Sequence, residues 1–208
     1  MLATIAAFEI RFHLTRPITW LYVVLFVAEG FLFMGTDMEV VAGGGVGAVA
    51  RNAPFALGAA LLTFTAMNQV IVTGLVGTAV LRDFQYRTHE LLFTSPITKL
   101  DYLGGRFVGA FVVMALVHLG MPLGLLLASK IPGVVDPSRL QATGLLPYLS
   151  LYGILVLPTL LLTSTIFFAV GALTRSMFAI YTQGLVLLVV QMATGSLLGN
   201  LKDRKSVV

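Results

Sequence analysis

The chain of 208 residues contains no cysteine, so a disulfide framework and a thiolate metal site are both excluded, and the redox compartment leaves no mark on the sequence. Charge is almost as scarce. Asp, Glu, Lys and Arg make up 11% of the residues, against about 25% in an average soluble domain, which excludes an ordinary solvated globule. A phosphate loop of the Gly-x-x-x-x-Gly-Lys-Ser/Thr type is missing, so the chain has no ATP-hydrolysing site of its own. A clustered basic face of the kind nucleic acid requires is missing too. The net charge of +4 is spread thinly over loops and suits lipid headgroups better.

What is present is apolar, with 58% of the residues hydrophobic. Stretches free of charge run over 52–81, 107–129, 140–174 and 176–201, each longer than the roughly 20 residues a helix needs to cross about 30 Å of hydrocarbon. The expected class is an all-α polytopic membrane protein, with about five transmembrane helices at 18–34, 55–81, 107–127, 148–173 and 177–198 within a membrane region 17–201. Residues 1–16 are too polar to span and lack the order of a secretory signal. Ile5, Phe8 and Phe12 share a helical face there, with Glu9 close to it, so an interfacial amphipathic helix is predicted. Pro17 suits the first turn of span one, and Trp20 and Tyr22 suit its interface end. Pro122 and Pro158 predict kinks in spans three and four. The spacings Gly105 to Gly109, Gly120 to Gly124 and Gly195 to Gly199 allow close helix approach without naming the partner.

Orientation follows from Lys and Arg. With the N-terminus inside, the inner segments hold Arg11, Arg16, Arg82, Arg87, Lys99, Arg106 and Arg175, and the outer loops only Arg51, Lys130 and Arg139. A multi-pass chain with a cytoplasmic N-terminus is expected. Lys202, Arg204 and Lys205 in the tail 202–208 would then lie outside, against the trend, which is explained either by a miscounted span or, the favoured reading, by a fragment that goes on to a sixth span.

The one long polar stretch is RDFQYRTHELLFTSPITKLDYLGGR, residues 82–106, which holds seven of the 22 formal charges. Its apolar spacing predicts a short helix, a corner at Ser95-Pro96 where the residue before proline leaves helical geometry, and the start of span three. The order Thr-x-Glu-Leu-Leu, Thr-Ser-Pro-Ile, Lys-Leu-Asp-Tyr and a glycine-basic pair resembles the cytoplasmic segment of ABC transporter type 2 export permeases. The resemblance covers nearly the whole chain, but only this block is specific. It implies a coupling helix that docks on a separate ATPase subunit, carried here by Asp83, Arg87, Thr88, Glu90, Leu91, Leu92, Ser95 and Pro96. It also implies a bacterial inner-membrane location, a second permease half or a homodimer partner, and ATP with Mg on the ATPase rather than on this chain. The RNAP run at 51–54 together with YRTHELLFTSPITKLDYLGGRF further resembles the N-terminal membrane part of bacterial ABC permease/zinc aminopeptidase fusions. On that alternative the chain anchors a domain it no longer carries, and transports nothing.

No catalytic residues are expected. His89 and Glu90 open like a His-Glu-x-x-His zinc site, but position 93 is Phe, so the second ligand is missing. GGGVG at 43–47 has neither the preceding strand nor the lysine of a phosphate loop and is expected to be a plain loop. Within the spans, Glu29 and His118 lie at similar depth. Either they face the bundle interior and interact, or Glu29 reaches the outer interface while His118 bonds a backbone carbonyl. A carrier that moves protons through this pair would need no ATPase, but it leaves the polar block unexplained.

Overall fold

The structure is a computed structural model that describes residues 1–36, 50–86 and 97–206, with the side chains of 84 and 195–206 left out of the description. The described residues are largely helical, with no strand among them. In chain order the helices are α1 (Leu2–Leu14), α2 (Pro17–Gly35), α3 (Pro54–Met67), α4 (Gln69–Gln85), α5 (Lys99–His118), α6 (Gly120–Lys130), α7 (Leu146–Leu151), α8 (Leu157–Thr174) and α9 (Met177–Ser206). A π-helical segment, Tyr152–Val156, joins α7 to α8, and Pro137–Arg139 forms a single 3-10 turn. Among the described residues, four helical stretches are long and apolar enough to cross a membrane: Pro17–Gly35, Lys99–Lys130, Leu146–Thr174 and Met177–Thr194. Counting α3 with α4 as one crossing makes five.

Apolar helices therefore stand where the spans were predicted, with three corrections to their continuity. Span two is two helices with a break at Asn68, the weak helix former in a run that includes Thr65, Gln69 and Thr73. Span three begins at Lys99, well before 107, and is interrupted at Leu119. Pro122 has no N–H to give the carbonyl of His118 four residues back, which accounts for the interruption. In span four the predicted kink takes the form of the π turn, directly before Pro158, where the same missing donor loosens the i→i−4 ladder.

The chain divides into two compact units. The first comprises 1–23, 68–117 and 159–185. Here α1 lies on α5 along a glycine seam: a Cβ on Gly105 would stand 2.7 Å from Ile5 Cβ, and one on Gly109 2.5 Å from Glu9 Cβ and 2.8 Å from the Ala6 carbonyl oxygen. The Gly105 to Gly109 spacing thus receives the N-terminal helix. Thr19 donates its hydroxyl to the His13 carbonyl at 2.7 Å and Trp20 its indole N–H to the Leu14 carbonyl at 2.9 Å, which fixes the corner from α1 into α2. Thr98 starts α5 with a capping pair, its Oγ1 accepting from the Asp101 amide and donating to the Asp101 carboxylate. Asp101 in turn accepts the Leu2 amide at 3.0 Å. The tight link from α8 to α9 is a left-handed turn at Arg175, φ +51°, whose N–H reaches the Gly171 carbonyl at 2.9 Å.

The second unit comprises 24–67, 118–158 and 186–208. Its tightest crossing is that of α2 and α6. A Cβ on Gly124 would meet the Val27 carbonyl oxygen at 2.1 Å, and one on Gly30 the Met121 carbonyl oxygen at 2.4 Å, so only glycine lets these backbones touch. The RNAP run acquires a structural role here. Arg51 caps α2 by donating to the carbonyls of Met34 (2.9 Å) and Thr36. Asn52 holds a distant loop by accepting the Gln141 amide at 2.8 Å and donating to the Gln141 carbonyl and Thr143 hydroxyl. Pro54 opens α3.

Candidate functional site

A buried ionic cluster sits in the first unit, where α1, α4 and α5 converge. Its centre is Glu9, fully buried. The carboxylate accepts a two-pronged bond from Arg82, Nη1 to Oε1 at 3.2 Å and Nη2 to Oε2 at 2.8 Å. Arg106 Nη1 adds a third bond to Oε2 at 2.6 Å, and His13 Nε2 lies 3.2 Å from Oε1. An ionised carboxylate only accepts and has about four lone-pair sites, so these four contacts saturate it, and the His13 nitrogen facing it carries the hydrogen. Arg106 turns its other Nη to Asp83, whose Oδ2 also accepts the Tyr102 hydroxyl at 2.7 Å.

Two carboxylates thus meet two guanidiniums, and the cluster is neutral by count. That neutrality matters, because desolvating an unpaired charge costs several kcal/mol. Aromatic rings complete the enclosure: the Arg82 guanidinium stands 3.9 Å from the centroid of Phe12 and 5.5 Å from that of Phe8, and Arg106 5.7 Å from Tyr102. Local geometry explains how the members meet. Ala6, Glu9 and His13 repeat at helical spacing on the buried face of α1, Arg82 and Asp83 are consecutive near the end of α4, and Tyr102 and Arg106 are four apart on α5. Both carboxylates are occupied by arginine, so neither is left for a metal, and among the described residues no group of three acidic or His side chains converges as one.

Of the predicted site residues, Asp83 belongs to this cluster, buried and turned inward. Arg87, Thr88, Glu90, Leu91, Leu92, Ser95 and Pro96 lie outside the described residues. In the second unit His118 is fully buried with its ring edge-on to Phe26, centroids 4.7 Å apart, and Glu29 is half-buried one turn along α2 from Phe26. Glu9, His13, Arg82, Tyr102 and Arg106 were missed by sequence reasoning as a site. The signal was there in the pair Glu9 and His13, four apart beside the apolar face of a helix, with unmatched arginines at the ends of two spans.

The chain matches no known family model, curated protein or solved structure.

Proposed function

We propose that this chain is a membrane-embedded permease subunit of an ATP-driven exporter of the ABC type 2 class, coupled to a separate ATPase through the segment between α4 and α5. The motif over 82–106 supports the docking half of that reading. The buried cluster supports the coupling half. A push on a loop whose ends can part is absorbed by the loop, whereas a loop with clamped ends passes it to the helices. Here Asp83 before the segment and Tyr102 and Arg106 after it are joined directly, and Glu9 ties the same base to α1. This clamp at the root of the segment is the observation that carries the proposal. Asp83 acts on this reading by positioning rather than by touching the ATPase. A rigid base with a docking segment on it is what a switch needs if ATP-driven closure of a partner is to bias the membrane helices.

The test is co-purification in detergent with the ATPase encoded beside this chain. Glu90→Lys with Leu92→Asp should abolish binding, while Asp83→Asn should leave binding intact and remove the stimulation of ATP hydrolysis that the permease confers. A folded wild-type chain that binds no ATPase would overturn the proposal and leave the anchor reading.

A further inference from the structure

An open cavity of about 340 Å³ lies in the first unit, between the end of α1, the start of α2, α4 and the start of α9. That volume is at the lower end of the roughly 300–1,000 Å³ typical of small-molecule sites. Its polar lining is cationic and aromatic, with Arg16, Arg82, His13, Tyr22, Tyr86 and Tyr181 on its walls and no carboxylate among the lining residues.

The cations are held in place before any ligand arrives. One ring carries both guanidiniums, since Phe12 has Arg16 4.5 Å and Arg82 3.9 Å from its centroid. Arg82 gives two N–H groups to Glu9 and has three more. The Arg16 guanidinium forms no hydrogen bond or ion pair with any described residue. Because Glu9, Asp83, Arg82 and Arg106 balance among themselves, Arg16 leaves the cavity with positive charge in excess. The helix ends offset one another here, since α2 begins at the cavity while α1 and α4 end there, so the excess rests on Arg16.

We propose that this cavity binds the phosphate of an anionic phospholipid. Guanidinium forks match phosphate oxygens geometrically as well as in charge, and the three tyrosine hydroxyls supply neutral donors around them. The site lies where α1 and α4 end and α2 and α9 begin, the level that headgroups occupy around a membrane-embedded bundle, and tyrosines gather at that level. The apolar flank favours a lipid over a free phosphate: Ile18 lines the cavity and is 46% exposed, and Leu21, one turn further along α2, is 57% exposed, offering a path for acyl chains. Basic pockets between helices at the membrane surface recognise headgroups by the same physics. The inference rests on the membrane-embedded part of the proposed function and not on ATPase coupling.

The experiment has two stages. Co-flotation with phosphatidylcholine vesicles after an alkaline wash tests insertion, and a chain left at the bottom overturns both readings together. For a chain that floats, protein extracted from an equal mixture of phosphatidylglycerol and phosphatidylcholine is examined by native mass spectrometry. Phosphatidylglycerol should be the lipid retained. Arg16→Gln should lower that retention by about tenfold, the effect of losing one charge-assisted hydrogen bond. Arg16→Lys should restore most of it, and Arg11→Gln, on α1 just before the corner that holds Arg16 but outside the cavity, should change nothing. Equal retention of the two lipids, or unchanged retention in Arg16→Gln, overturns the proposal. Displacement by glycerol phosphate or inorganic phosphate also overturns it, by assigning the cavity to a soluble anion.

Discussion

Glu9→Gln isolates what the buried cluster does, because it keeps the shape of the side chain and removes only its charge. In the wild-type protein Glu9 and Asp83 offset Arg82 and Arg106. In the variant one carboxylate faces two guanidiniums that are 6% and 5% exposed, and the glutamine N–H₂ points a donor at other donors. Breaking a buried pair from one side costs about 3–5 kcal/mol. By the scaling of melting temperature with chain length, that is a fall of about 6–20 °C. Trp20 is the sole tryptophan and bonds the last turn of α1, so its fluorescence on heating in detergent reports the loss where it occurs. The double variant Glu9→Gln with Arg82→Gln removes the surplus cation and leaves Arg106 paired with Asp83. It should be more stable than Glu9→Gln alone, with a coupling of about 2 kcal/mol. A Glu9→Gln protein that melts with the wild type, or losses that simply add in the double variant, would refute the reasoning.

The glycine seam gives a second expectation. Gly109→Ala places a methyl group 2.8 Å from the Ala6 carbonyl oxygen and should lower the melting temperature measured through Trp20, whereas Gly144→Ala, with nothing within 4 Å, should not. The strain of such overpacking is about 1–3 kcal/mol. Gly124→Ala, facing the Val27 carbonyl oxygen at 2.1 Å, should be at least as harmful, and normal expression and melting of that protein would contradict the close crossing of α2 and α6. Asn52→Ala strands the Gln141 amide and should expose the loop at 141–143 to limited proteolysis; an unchanged digestion pattern would show that the loop has other support. Asp136 accepts the Ser138 amide and hydroxyl, which holds its carboxyl below the usual range. This turn should therefore be complete above the ordinary carboxylate pKa and loosen as pH falls through the lowered one, visible as a Ser138 amide shift in NMR.

How far the sequence could be read differed between fold and site. Among the described residues, apolar length located the long helices of spans two to five, because a charge-free run of such length has few other ways to fold, and span one was found despite Glu29. Pro158 announced the π turn, and Pro122 the interruption at Leu119, through their missing donors. Asn68 gave no such notice, since asparagine breaks a helix only where the surroundings let its side chain compete with the backbone. The cluster was hidden by the way α1 was read. Ile5, Phe8 and Phe12 marked the face of an interfacial helix that turns to the membrane, and Glu9 counted as a flaw in it. The face that packs on the protein is a different one, Ala6, Glu9 and His13, and Phe8 is left 57% exposed. A hydrophobic period finds the face that avoids water but not one that pairs charge with charge. For the same reason Gly105 and Gly109 disclosed close packing without disclosing α1 as the partner.

The placement of Asp83 changes how the polar block should be interrogated. Of its seven charges, Arg82, Asp83 and Arg106 are consumed within the cluster, and Asp101 caps α1 through the Leu2 amide. The other charges of the block are Lys99 and, outside the described residues, Arg87 and Glu90. If the segment docks on an ATPase as proposed, a surface with so little charge would draw its affinity from the apolar pair Leu91 and Leu92 and use Arg87 and Glu90 for orientation, since a few buried anchors carry most of an interface. It follows that loss of activity in variants of Arg82, Asp83 or Arg106 would not map the contact, because those residues act on the base. Only changes between 87 and 96 that spare thermal stability while abolishing association can do so.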